Sequence, residues 1–148
     1  MSAEGNTKNN PDEPPLRAIN VSKDGIVLAE QVEWAGTGPQ RRHGLLGRSN
    51  LAPEEGMYVA PTQWIHTFRM KFAIDIAFMD HNGRVLTVHY ALKPNRLSKI
   101  SLRAVGALEL SAGRLRATNT EVGDIIKFQE AESNERKCQS LNNKMDGV

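Results

Sequence analysis

The sequence is short of several things at once, and each shortage removes a class of explanation. It has one cysteine, Cys138, so a single chain can form neither an internal disulfide nor a cysteine-based zinc centre. No apolar run approaches the roughly 20 residues that cross a bilayer. The opening MSAEGNTKNN lacks the basic and apolar regions of a secretory signal, so a soluble, cytoplasmic protein is expected. Aromatic residues make up only 5%, too few to suggest the stacking platforms that hold single-stranded nucleic acid. There is no Gly-x-Ser-x-Gly elbow, no P-loop and no dinucleotide fingerprint; GTGPQ leads to no third glycine at Arg41. The four histidines, His43, His66, His81 and His89, show no paired ligand spacing. No metal and no cofactor is therefore expected.

What remains describes a small globule. A chain of 148 residues fits one domain. Residues 1–15 and 131–148 are polar and poor in groups that could bury surface, so they are expected to be flexible tails. The domain itself is then residues 16–130, expected to be monomeric. Within it, 15 Lys and Arg stand against 11 Asp and Glu, a mildly basic balance.

Inside those bounds the pattern is one of short strands and turns, with little helical periodicity. IVLAEQVEW (Ile26–Trp34) alternates enough for a strand pair or one bent strand. Thr37 or Gly38 can cap a short helix with Pro39 at its start, broken at Gly44 or Gly47. GMYVA, AIDIAFMD, RVLTVHYAL, AVGALELSAG and IIKFQE read as strands. DHNG (Asp80–Gly83) joins the second and third of these, and Asn-Gly is a strong hairpin signal. TNTEVGD reads as a turn or single helical turn. The sum is a β-rich α+β domain with one or two short helices. Parallel βαβ units are not expected, because they need longer helices than this chain offers.

The blocks HGLLGRSNLAPEEGMYV, IHTFRMKFAIDIAFMDHNGRVL, ALELSAG and VGD, in that order and spacing over Gly44 to Phe128, resemble the uncharacterised family called domain of unknown function 192. The resemblance implies a single small α+β domain with a mostly antiparallel, partly barrel-like sheet. It implies no activity. Many members carry Trp-Met-Lys-Asn in the central block, where this chain has the His-Thr-Phe-x-Met version at His66–Met70.

WIHTFRMKFAIDIAF (Trp64–Phe78) combines the most apolar passage with ionisable groups. On a strand, Ile74, Ile76 and Phe78 share a core face, and Asp75 shares the other with Ala73, Ala77 and Met79. A carboxylate among such neighbours needs a partner, and Arg69, His66 or Arg48 could supply it. A His66–Asp75 pair is also the arrangement that orients a general base, so these two are the catalytic candidates, although no nucleophile accompanies them. Glu109 lies opposite in parity to Leu108 and Leu110. If its strand lay beside that of Asp75, Arg48, His66, Asp75 and Glu109 would enclose a polar pocket for a small ligand or peptide. That binding or accessory role is the leading expectation, and a hydrolase-like enzyme is the alternative.

A third reading comes from charge. Between His81 and Leu108 there is no Asp or Glu, while Lys93, Arg96, Lys99 and Arg103 recur every few residues. Such a loop suits an anionic partner, but with Tyr90 as the one nearby aromatic, specific recognition of nucleic acid is not expected.

Overall fold

The computed structural model describes residues 16–131; the two expected tails lie outside the described residues. Seven strands form one sheet: β1 (Leu16–Asn20), β2 (Ile26–Ala35), β3 (Glu55–Val59), β4 (Ile74–Met79), β5 (Val85–Leu92), β6 (Gly106–Ser111) and β7 (Ile126–Glu130). Their order across the sheet is β5-β4-β6-β3-β2-β1-β7. Two short helices complete the fold, α1 (Gly38–His43) and α2 (Arg114–Ala117). This is the expected β-rich α+β class.

Every neighbouring pair is antiparallel except β2 and β3, which run parallel with Gln31 opposite Glu55 and Ala35 opposite Val59. That corrects the expectation that parallel pairing was out of reach. A long helix is not required, because the segment 36–54 needs only enough chain to return to the strand's starting end. It does so with α1, where Thr37 accepts from the Gln40 amide and the Gln40 side chain accepts in turn from the Thr37 amide. This reciprocal cap and the proline in the first turn start the helix, and Gly44 stops it.

The sheet curls so that its edges meet at one end. The Val85 amide donates to Asp124 O at 2.8 Å, the Ile126 amide to Gly83 O at 2.8 Å and the Gly123 amide to Val85 O at 2.8 Å. These bonds tie the start of β5 to the start of β7 and give a half-barrel. Because a curled sheet has two apolar faces to cover, there are two cores. Inside lie Leu28, Val32, Tyr58, Ala77, Met79, Leu108, Leu110 and Ile126. On the outer face Met57, Val59, Ile74, Ile76, Phe78 and Ala107 pack under Leu45, Leu51, Ile65 and Met70 from the loops. β4 is buried on both sides along its whole length.

The Asp80–Gly83 turn forms as expected. Asp80 Oδ1 accepts from the Asn82 and Arg84 amides, and Gly83 takes a φ of 80°. TNTEVGD forms turns, one of the two expected forms, and the helical turn of this region precedes it at Arg114–Ala117. The chain 62–70 and the chain 93–105 run beside each other over the outer face, joined by an antiparallel bridge between His66 and Leu97.

Candidate ligand-binding site

The register of the central strands decides which of the expected residues can meet. On β4 and β6, Asp75 stands opposite Leu110 and Ile76 opposite Glu109. Opposed residues share a face, so Asp75 points into the half-barrel and Glu109 points to the outer face. The four-residue pocket of Arg48, His66, Asp75 and Glu109 does not form as a unit, and the His66–Asp75 pair does not form at all.

Asp75 finds its partners elsewhere. It is 1% exposed. Its Oδ1 accepts from the Ala91 amide at 2.7 Å and its Oδ2 from the Leu115 amide at 2.9 Å. Ala91 has a φ of 48° at an irregularity in β5. Leu115 lies in the first turn of α2, a helix whose own N-cap, Gly113, has no side chain to offer. Asp75 is therefore the cap of α2, supplied from 40 residues away, and none of Arg69, His66 and Arg48 is its partner.

On the outer face the other residues gather around an open cavity of about 300 Å³. Val59, Ile65, Met70, Leu45 and Leu46 form apolar walls, and Arg41, Arg42, Trp64 and His66 contribute polar and aromatic groups. Glu109 also lines it, while being only 5% exposed. Its Oε2 is buried with no hydrogen-bond partner among the described residues. Burial raises the Glu109 pKa to about 7, against a smaller opposing pull from the Arg48 guanidinium. Arg48 does not reach it as an ion-pair partner. Its guanidinium bonds Glu33 at 2.7 Å and Glu55 at 3.4 Å, beside a second hollow lined by Glu33, Trp34 and Met57.

His66 is exposed, with its Nδ1 accepting from the Phe68 amide at 3.4 Å. Its ring stacks on Phe68 with centroids 5.1 Å apart and lies 6.1 Å from Trp64. Trp64, Arg41, Arg42 and Met70 are cavity residues that the sequence reading did not single out. Trp64 stood in the quoted passage, but only the pairing of 62–70 with 93–105 shows that it faces outward beside His66.

Comparison with known proteins places this architecture. The model of the DUF192 family, described as "Uncharacterized ACR", matches residues 19–128. The chain belongs to this family. No curated protein matches it. Two crystal structures share the fold. One is a protein of unknown function from Novosphingobium aromaticivorans DSM 12444, 22% identical, with a TM-score of 0.66 over 76% of this chain and 83% of that one. The other, from Sinorhizobium meliloti 1021, carries the description "putative transcription regulator"; it is 26% identical, with a TM-score of 0.66 over 78% of this chain and 93% of that one. Neither the family nor the first of these structures has an assigned function.

The basic residues Lys93, Arg96, Lys99 and Arg103 are all exposed along the segment 93–105. They lie outside the cavity lining. No helix among the described residues is long and apolar enough to cross a membrane.

Proposed function

We propose that this DUF192 domain is a binding module, and that its site is the outer-face cavity lined by Glu109, Trp64 and His66. The observation that carries the reading is the buried carboxyl of Glu109 with an unpartnered oxygen. An acid held without a hydrogen-bond donor in an apolar enclosure costs the folded state stability. A ligand that brings an N–H or O–H group to it recovers that cost on binding. Apolar walls give such a ligand's body a surface to cover, and the Trp64 and His66 rings offer a flat side for a ring or a cation. The expected class is a small molecule or peptide end with a hydrogen-bond-donating head, and catalysis is not part of it. A nucleic-acid role, which the description of the Sinorhizobium protein raises, has less support. The longest helix among the described residues has six residues, too short to serve as a recognition helix in a major groove.

Two probes of one shape test this. Benzamidine, a ring with a donor head, should raise the thermal midpoint and shift the Trp64 indole resonance, with tighter binding as pH rises through 7 and Glu109 ionises. Benzoate, with an acceptor head, should do neither. Retention of benzamidine binding in Glu109→Leu, or equal binding of benzoate, would remove the basis for this reading.

The same group makes a prediction that needs no ligand. The folded-state pKa of Glu109 lies above its ordinary 4.5, at about 7. For an acid this means that the folded state holds the proton more tightly than the unfolded one. The contribution is fully present below about pH 4.5 and is lost as pH rises through 7, by about 3 kcal/mol in all. Urea midpoints measured from pH 5 to 8 should therefore fall more steeply for the natural chain than for Glu109→Leu. At pH 8 the leucine variant should be the more stable by about 1–3 kcal/mol.

A further inference from the structure

The paired segments 62–70 and 93–105 form a lip with an unusual surface. Their backbones are joined by hydrogen bonds from the Ser98 amide to Ile65 O, from the Thr67 amide to Arg96 O and from the Ser101 amide to Gln63 O. This pairing buries Ile65, Thr67, Ser98 and Ser101. It leaves Trp64, Phe68, Leu97, Ile100 and Leu102 exposed by 49, 45, 58, 66 and 77%. Large apolar side chains gathered in this way mark an interaction surface rather than ordinary scatter. The same lip carries Arg69, Lys93, Arg96, Lys99 and Arg103, all exposed, and residues 61–74 and 81–108 contain no Asp or Glu.

We propose that this lip docks on an anionic lipid surface. Trp64, Phe68, Leu97, Ile100 and Leu102 enter the headgroup boundary, and the surrounding cations meet the phosphates. The combination fits a bilayer on both counts. Aromatic and aliphatic side chains gain by leaving water at the interface, and a basic rim is attracted by the negative potential of anionic lipids. A folded acidic protein fits less well. Ile100 and Leu102, 66 and 77% exposed, project from a loop rather than line a groove. A protein partner would need matching concavities, which a fluid interface does not. The lip is also ordered before it binds. The Lys99 amide donates to His89 Nε2 at 3.2 Å, the Arg69 amide to Asn95 Oδ1 at 3.1 Å, and Thr67 Oγ1 to Lys93 O at 2.6 Å. Docking therefore spends little on conformational order. Trp64 also lines the Glu109 cavity, so the test rests on Arg96, Lys99, Ile100 and Leu102, which lie outside that lining.

The test is co-sedimentation of the full chain with vesicles of phosphatidylcholine alone, and of phosphatidylcholine with phosphatidylglycerol in equal parts. The chain should pellet with the mixed vesicles and remain in solution with the neutral ones. Arg96→Glu/Lys99→Glu and Ile100→Asp/Leu102→Asp change exposed side chains only, so unfolding midpoints should confirm intact folding. Each pair should lower partitioning about tenfold or more. Failure to pellet at low salt would overturn the proposal. So would binding that Ile100→Asp/Leu102→Asp leaves unchanged, which would mean general attraction to polyanions. Capture of polyglutamate or duplex DNA as strongly as of mixed vesicles would also overturn it.

Discussion

Replacing Asp75 with alanine should cost the folded state about 3–5 kcal/mol, read as a fall in the urea midpoint with an unchanged slope. Two charge-assisted hydrogen bonds are lost, each worth roughly 1.5–3 kcal/mol. The Ala91 and Leu115 amides are left buried or half-buried without their acceptors. A small domain has only about 5–15 kcal/mol to lose, so the variant sits near the limit of folding. Asparagine should rescue little. Its carboxamide oxygen can accept one of the two amides, but its NH2 group then faces the other donor. If Asp75→Asn kept nearly full stability, the carboxylate would not be acting as the cap of α2.

A second large effect is expected at Gly83. A Cβ built there collides with Ile126 O, and the residue holds a φ of 80°. Gly83→Ala combines backbone strain with a forced separation of β5 from β7, and should cost about 2–4 kcal/mol. Gly25 provides the control. It also has a positive φ, of 71°, but nothing lies within 4 Å of an added Cβ. Gly25→Ala should lose only the strain, about 1 kcal/mol. Hydrogen exchange would locate the damage: the Val85, Gly123 and Ile126 amides should lose protection in Gly83→Ala and keep it in Gly25→Ala. Equal losses in the two variants would show that closure of the sheet edges contributes little.

What was legible in the sequence was local. The Asp80–Gly83 turn, a short helix opening at Thr37 or Gly38 with Pro39 at its start, and the alternation of Leu108 and Leu110 against Glu109 depend on neighbours a few residues apart, and all are present; the structure makes Thr37 the cap. The resemblance supplied the half-barrel. β1 escaped notice because the buried positions of LRAIN are Ala18 and Asn20, which give no apolar alternation, and the strand exists through its pairing with β2 and β7. The parallel pairing of β2 and β3 was equally hidden, since nothing within either strand specifies a neighbour's direction.

The site shows the same boundary. Parity correctly put Asp75 and Glu109 each on a face of its own strand. It could not give the offset between β4 and β6, and that single offset sends the two carboxyls to opposite sides of the sheet. The demand that Asp75 have a partner was sound. The partners are backbone amides, which every residue but proline carries and which leave no mark in a sequence. One clue did exist: the turn Arg114–Ala117 has glycine, not Ser, Thr, Asp or Asn, at the position immediately before it that would cap a helix. A helix with no local cap must borrow one.

The placement of β1 between β2 and β7 sets the order in which the molecule can be completed. Leu16 pairs with Glu130 and Asn20 with Ile126, so the earliest of the described strands to be synthesised waits for the latest of them. Until β7 emerges, β1 offers a row of unsatisfied amides and carbonyls to any other chain, and Gly83 and Val85 lack their counterparts at Ile126 and Gly123. Pairings this distant in sequence are slow to find. A chain stalled or truncated before Ile126 should therefore be prone to self-association during synthesis, through strands that are harmless in the finished protein.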